Sequence, residues 1–165
     1  MRRRWVLLLF CCTLAACGAP TDPRAALRAG DPARAAALTR TRAEAGDVSA
    51  MTTLGALHYV GVGVPRDYTE ALRWTERAAL AGDPHAQRNL GSMFRQGNGM
   101  PKDDFRAFGW YDQSRRNGNA NARNYMEWMA LVVGWNQQAY GRRIVAEDLK
   151  QQRVTHGEAR KPGRR

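Results

Sequence analysis

The chain has 165 residues, enough for one domain or at most two, and its hydrophobic content of 44% is that of a folded protein. A formal net charge of +11 points toward acidic partners and carries no information about fold. All three cysteines fall within the first 17 residues, which excludes a disulfide scaffold and thiolate chemistry from the rest of the chain.

Residues 1–17 read as a targeting segment. Arg2-Arg3-Arg4 is a basic opening, and Val6 to Ala16 is an apolar run too short for a span of roughly 20 residues. This pattern predicts a signal peptide over 1–16. Leu14-Ala15-Ala16-Cys17 resembles the lipobox of bacterial lipoproteins. The resemblance implies cleavage before Cys17 and acyl chains on Cys17, palmitate among them. Gly18, where some lipoproteins carry Asp, resembles the class sorted to the outer membrane, facing the periplasm. An ordinary secretory peptide cut at the same small residues is the alternative. Residues 17–30, rich in Ala and Pro, read as the lipidated cysteine and a tether.

The rest is organised by a repeat with a period of 36. Residues 50–85 recur as 86–121. Identical residues pair Ala50 with Ala86, Leu54 with Leu90, Gly55 with Gly91, Gly61 with Gly97 and Gly63 with Gly99. They also pair Pro65 with Pro101, Asp67 with Asp103, Ala71 with Ala107, Trp74 with Trp110 and Gly82 with Gly118. Each unit predicts two helices. Met51, Leu54, Leu57 and His58 share a helical face, and the GxG turn then ends the first helix. Asp67 caps the second, with Glu70 completing a capping-box pattern. Gly82 suits the C-terminal end, and Asp83-Pro84 opens the next unit. The caps share the period: Asp31, Asp67 and Asp103, then Asp47, Asp83 and Asn119. Gly55 and Gly91, with Ala71 and Ala107, are expected where paired helices approach most closely. Trp74 and Trp110 are expected between hairpins.

Partial units flank these at 31–49 and 122–152. The first reads as a charged cap with Arg34, Arg40, Arg42 and Glu44 wetted. In the second, Ala122, Tyr125, Met126, Met129, Ala130 and Val133 keep a helical stripe, Gly134–Gly141 takes the place of the turn, and Ile144, Val145, Asp148 and Leu149 belong to a closing helix. Residues 153–165 read as a basic disordered tail.

The strings LGALHYVGVGVPRDYTEALRWTERAALAGD and LGSMFRQGNGMPKDDFRAFGWYDQSRRNG strongly resemble the Sel1-like repeat, a longer relative of the tetratricopeptide repeat. The resemblance implies an all-α, right-handed solenoid that binds other proteins, and it implies no chemistry. His58 and Phe94 stand where the family usually has Tyr, and Ser114-Arg115 replaces Ala78-Ala79, which predicts altered packing there.

No catalytic site is expected. The histidines His58, His85 and His156 make no metal-ligand pattern. Glu44, Glu70, Glu76 and Asp112 are placed on helix surfaces with no paired carboxylates among them. Neither a nucleophile elbow nor a phosphate loop is present, and no cofactor or metal is implied. The expected partner is a protein, bound through Thr52, Tyr59, Arg88 and Arg95 on the first helices and through a second stripe with Trp128, Leu131, Val132 and Trp135. The first reading of that stripe is a C-terminal helix packed both on the stack and on the last helix, and the partner surface is the sharper alternative. Residues 141–165 hold eight basic and three acidic groups. They suggest an alternative, an anionic envelope polymer or lipid as ligand. Nucleic acid is not expected.

Overall fold

The computed structural model describes residues 21–159. Helices α1 (Pro23–Arg28) and α2 (Pro32–Glu44) lead into two hairpins, α3 (Val48–Val60) with α4 (Tyr68–Leu80) and α5 (Pro84–Gln96) with α6 (Asp104–Arg116). Then come α7 (Ala122–Val133) and α8 (Trp135–Ala159). Consecutive helices stack from α1 to α7 around one core cluster that runs from Ala43 to Val145. This is the expected all-helical solenoid.

The helices start where acidic caps stand. The carboxylates of Asp31, Asp47, Asp67, Asp83 and Asp103 each accept from first-turn amides, which otherwise lack partners. The reciprocal half of the capping box is not made. The Asp67 amide donates to His58 O at 2.9 Å, and Glu70 pairs instead with Arg73 at 2.8 Å. The equivalent bond, Asp103 N to Phe94 O at 2.9 Å, closes the second hairpin. Asn119 departs from the series. Its side-chain Nδ2 donates to Pro84 O at 3.1 Å and its Oδ1 accepts from Asn121 N at 3.1 Å, so α7 begins at Ala122.

The repeated residues divide by task. Leu54 and Leu90 face inward from α3 and α5, and both are buried in the core cluster. Gly61 and Gly97 end those two helices, with their amides donating to Leu57 O at 2.7 Å and Met93 O at 2.8 Å. Leu90 and Gly97 thus act in stacking and turning the second hairpin, as Leu54 and Gly61 do in the first. Close approaches explain the other small residues. A Cβ on Gly55 would stand 3.2 Å from Ala71 O, and one on Gly91 would stand 3.2 Å from Ala107 O. The second glycine of each turn touches the preceding hairpin. Gly63 (φ +71°) rests on the Pro32 carbonyl at the start of α2, and a Cβ on Gly99 (φ +81°) would lie 2.5 Å from Tyr68 O at the start of α4. Trp74 and Trp110 are both buried in the core cluster.

The third unit breaks this scheme. The offset of 36 places Glu127 at the position of Gly55 and Gly91, and Trp135 at that of Gly63 and Gly99. A side chain fits neither place without forcing the helices apart. No third hairpin forms. The expected turn over Gly134–Gly141 is reduced to Gly134, and residues 135–141 are already helical. Helix α8 leaves α7 and packs chiefly on α6. Gly109 of α6 and Gly141 of α8 meet at the crossing, where a Cβ on Gly109 would run into the Gly141 carbonyl. Val145 is buried, and Leu149 reaches a cleft shared with Val48, Met51 and Leu80. The closing helix therefore exists and folds back over both hairpins.

Three other expectations change. The tether contains a helix: Asp22 caps α1 through Ala25 N at 3.0 Å, and Ala26 is fully buried. Asp22-Pro23 is the same start signal as Asp83-Pro84. At the other end, α8 continues through Ala159, so Arg153 is not where helix gives way to tail. Within the first cap, Arg40 is not simply wetted, because its guanidinium reaches the buried His58 Nε2 at 3.1 Å.

Asp112, expected at the surface, is 2% exposed. Its carboxylate meets Arg115 at 3.0 Å, Arg116 at 2.8 Å and Arg142 of α8 at 3.2 Å. The residue became buried because α8 covers it. Beside it, Ser114 is buried and donates to Pro84 O at 2.5 Å, which re-faces the position held by Ala78 in the first unit. Removing a buried carboxylate leaves its cations unpaired. Because all three arginines are more than a third exposed, the loss expected for Asp112→Ala is discounted to about 2 kcal/mol. Urea unfolding measures it, and a change below about 0.5 kcal/mol would remove this cluster from the forces holding α8.

Candidate protein-binding face

The first helices of successive units each bury one side and leave another row open. On α3 the row is Thr53, Ala56, Tyr59 and Val60; on α5 it is Asn89, Ser92, Arg95 and Gln96; on α7 it is Tyr125, Trp128, Leu131 and Val132. These rows are related by the same offset of 36. Two clefts interrupt the face. One of about 420 Å³ lies between α1, α2 and α3, walled by Leu27, Thr39, Thr53 and Leu57. Another of about 330 Å³ lies between α3 and α5, walled by Ala56, Tyr59, Val60, Arg88, Ser92 and Gln96.

Side chains link the rows. Tyr59 Oη donates to Gln96 Oε1 at 2.6 Å and accepts from Asn98 Nδ2 at 2.7 Å. The hydroxyls of Ser92 and Tyr111 lie 3.0 Å apart, and the Tyr111 ring stacks on Tyr125 with centroids 5.4 Å apart. The Arg95 guanidinium lies 5.5 Å from the centroid of the Trp128 ring, within cation–π range. The face is thereby held in shape without a ligand.

Its charge is one-sided. Neither α3 nor α5 contains Asp or Glu. Arg88 donates to Asn89 Oδ1 at 2.9 Å, and the Nε atoms of Arg88 and Arg95 are buried without an acceptor. Among the described residues neither arginine forms an ion pair.

The structure groups most of the expected contact residues. Tyr59 and Arg88 share the cleft between α3 and α5, and Arg95 meets Trp128. Thr52 is the exception. Its hydroxyl donates back to Val48 O at 3.1 Å, as that of Thr53 does to Ser49 O at 2.9 Å, but only Thr53 lines a cleft. Trp135 is 87% exposed at the start of α8, and Trp128, Leu131 and Val132 are 52%, 82% and 49% exposed. The reading of a helix packed on two sides is overturned, because α8 departs and leaves this stripe open. Tyr125, expected in the packed stripe of α7, is instead 39% exposed and stacks on Tyr111. Sequence reasoning missed Ser92, Gln96 and Asn98, although Ser92 and Gln96 could have been found by advancing Ala56 and Val60 by one period. Cys17 and the signal peptide lie outside the described residues.

Away from this face the fold-back juxtaposes two carboxyls that had no sequence relation. Glu76 of α4 and Asp148 of α8 line one cleft of about 130 Å³ with Arg106 and Trp110. Partial burial, then the Asp148 charge, holds Glu76 above its ordinary 4.5, against the pull of Arg106. Partial burial also raises Asp148 above 3.8, with Arg106 opposing and Glu147 and Asp103 adding to the rise. Both groups bind protons more tightly when folded, so their ionisation costs stability at neutral pH. That cost fades as pH falls through the raised values toward the ordinary ones. Glu76→Gln is therefore expected to melt higher than wild type at pH 7, with the difference shrinking by about pH 4.5. A constant difference across that range would exclude the linkage.

Among the described residues no helix is long and apolar enough to cross a membrane, and no His, Cys, Asp and Glu group has the arrangement of a metal site.

Comparison with known proteins places the chain. The Sel1 repeat model matches residues 48–83 and 84–119, which enclose the two hairpins. The chain is similar to a Sel1 repeat protein from Oxalobacter formigenes at 35% identity, over 64% of this chain and 82% of that one, with a TM-score of 0.58. Its fold is also similar to that of a protective antigen present in uropathogenic Escherichia coli strains. There the identity is 23%, the TM-score is 0.69, and the match covers 87% of this chain and 32% of that one. No curated protein compared with it matches. Sel1 repeat proteins generally mediate protein–protein interaction and are typically non-catalytic scaffolds. With its repeats in both hairpins and that degree of likeness to a Sel1 repeat protein, the chain belongs to the Sel1 repeat family.

Proposed function

We propose that this protein is a lipid-anchored adaptor of the bacterial cell envelope that docks a protein segment on the face built by α3, α5 and α7. The observation that carries the docking is the pre-tied row from Tyr59 to Trp128, which ends in an open stripe of large apolar side chains. Single exposed hydrophobics are ordinary, whereas a contiguous aromatic patch marks an interaction site. The motif at Leu14–Cys17 supports acylation of Cys17, most consistent with the outer membrane facing the periplasm. Several acyl chains suffice to hold a small domain there, since each buried methylene contributes about 0.8 kcal/mol.

The test is photocrosslinking in intact cells, with a photoreactive amino acid at Tyr59 or Trp128 and a control at Arg73, followed by mass spectrometry. One dominant protein adduct from the face and none from Arg73 is the expected outcome. Its loss in Cys17→Ser would tie the adaptor to its anchor. Equal labelling from Arg73 would refute the face.

A second reading has its own observation, the basic excess of residues 141–165. In it the C-terminus binds an anionic envelope polymer or lipid. Such binding is screened by salt and is removed by deleting residues 153–165, whereas groove docking survives both.

A further inference from the structure

We infer that the segment docked on this face is an acidic amphipathic peptide, whose carboxylates meet Arg88 and Arg95 and whose apolar side chains cover Trp128, Leu131 and Val132. This rests on the docking reading above and names its partner's chemistry. The first observation is the charge layout. One ion pair of the described residues joins Arg42 of α2 to Asp47, the cap of α3, and the others lie on α4, α6 with its approach, and α8, while α3 and α5 carry no carboxylate between their caps and their C-terminal ends. The two cations of α5 other than His85 are Arg88 and Arg95, and both stand on the open side. A half-buried arginine normally finds an anion, because desolvation weakens its hydration without removing its charge. These two are left with Asn89 and the face of Trp128.

The second observation is spacing. Arg88 and Arg95 are seven residues apart, so they lie on one side of α5, separated by about 10 Å along its axis. Glutamates seven apart on a partner helix match that distance, as do residues three apart on an extended segment. The third is continuity. Arg95 lies against Trp128, and from there the surface turns apolar through Leu131, Val132 and Trp135. A segment that pairs with the arginines thus carries its apolar residues directly onto the stripe that α8 left uncovered. A basic or purely apolar segment would leave two desolvated guanidiniums beneath it.

The test uses the full chain purified in detergent and three labelled helical 18-mers, read by fluorescence anisotropy. One peptide carries Glu at two positions seven apart beside a Leu/Phe stripe. The second has Lys at those positions, and the third replaces the stripe by Ser. The Glu peptide is expected to bind at least about tenfold more tightly than either relative. The double variant R88E/R95E is expected to reverse the preference toward the Lys peptide, which a misfolded protein would not do. The milder pair R88Q/R95Q should abolish the preference, and Trp128→Ala should weaken the Glu peptide with the melting curve unchanged. Equal binding of Glu and Lys peptides, or an unaltered preference in R88E/R95E, would overturn the inference. So would co-sedimentation with phosphatidylglycerol vesicles that needs Trp128 while no peptide binds, since the surface would then be a lipid contact. A protein crosslinked from Trp128 in cells, with no binding of the Glu peptide, would refute only the acidic chemistry; failure of both would refute the docking face itself.

Discussion

Gly99→Ala is expected to lower the melting temperature by about 10 °C, and Gly63→Ala by at least as much. At Gly99 a Cβ would stand 2.5 Å from the Tyr68 carbonyl, at φ +81°. The carbonyl belongs to the first turn of α4 and has no flexible side chain through which to yield. Overpacking of this kind costs about 1–3 kcal/mol, and the left-handed backbone adds about 1 kcal/mol for any residue with a Cβ. At Gly63 the obstacle is the Pro32 carbonyl at the start of α2, and it is closer still. Gly82→Ala and Gly118→Ala separate the two causes. These glycines have φ +97° and +95°, with no atom within 4 Å of the added Cβ. They bear only the backbone cost, so a loss of about 1 kcal/mol is expected. Thermal denaturation followed by circular dichroism measures all four. If Gly82→Ala proved as damaging as Gly99→Ala, the GxG turn would owe its second glycine to local conformation and not to contact between hairpins.

That distinction bears on what the sequence made legible. The period of 36, the caps, the buried Leu54 and Leu90, and the Gly/Ala approach were readable because each depends on neighbours within one unit or the next, and the same chemistry is written twice. The departure of α8 was harder to see. It follows from two absences of glycine, Glu127 and Trp135, which matter only once Gly55 and Gly63 are known to touch backbone. The same departure hid the burial of Asp112, the meeting of Glu76 with Asp148 and the exposure of Leu131. All are consequences of one helix lying where the repeat rule does not put it. On the candidate face, Tyr59, Arg88, Arg95 and Trp128 stand out in the sequence as non-consensus positions, because residues not needed for stacking depart from the repeat. Thr52 lies about 100° around α3 from Thr53, the angular step between adjacent residues, and it is Thr53 that shares the open row with Ala56 and Tyr59. Asn98 sits in the turn after Gly97, where helical periodicity gives no guide.

A fragment of residues 48–121, the two hairpins alone, is expected to lose most of its cooperativity relative to residues 18–165. Repeat arrays bury their core only by stacking, and about three units are the usual minimum. Without α2, His58 loses Arg40 and its cover; without α7 and α8, Phe108 and Tyr111, both now fully buried, meet water. Each large apolar side chain so uncovered costs about 1.5–3 kcal/mol, against a total stability of about 5–15 kcal/mol for a domain. The two ends are not equivalent. Helix α8 packs along α6, closes the Gly109–Gly141 contact and supplies Arg142 to Asp112, whereas α2 covers only the start of the stack. Residues 48–165 should therefore retain more stability than residues 18–121. Urea unfolding of the three fragments beside the 18–165 chain orders them directly. A 48–121 fragment as cooperative and as stable as residues 18–165 would mean that the flanking helices are dispensable for folding, and that α8 lies over the hairpins for a reason other than covering their core.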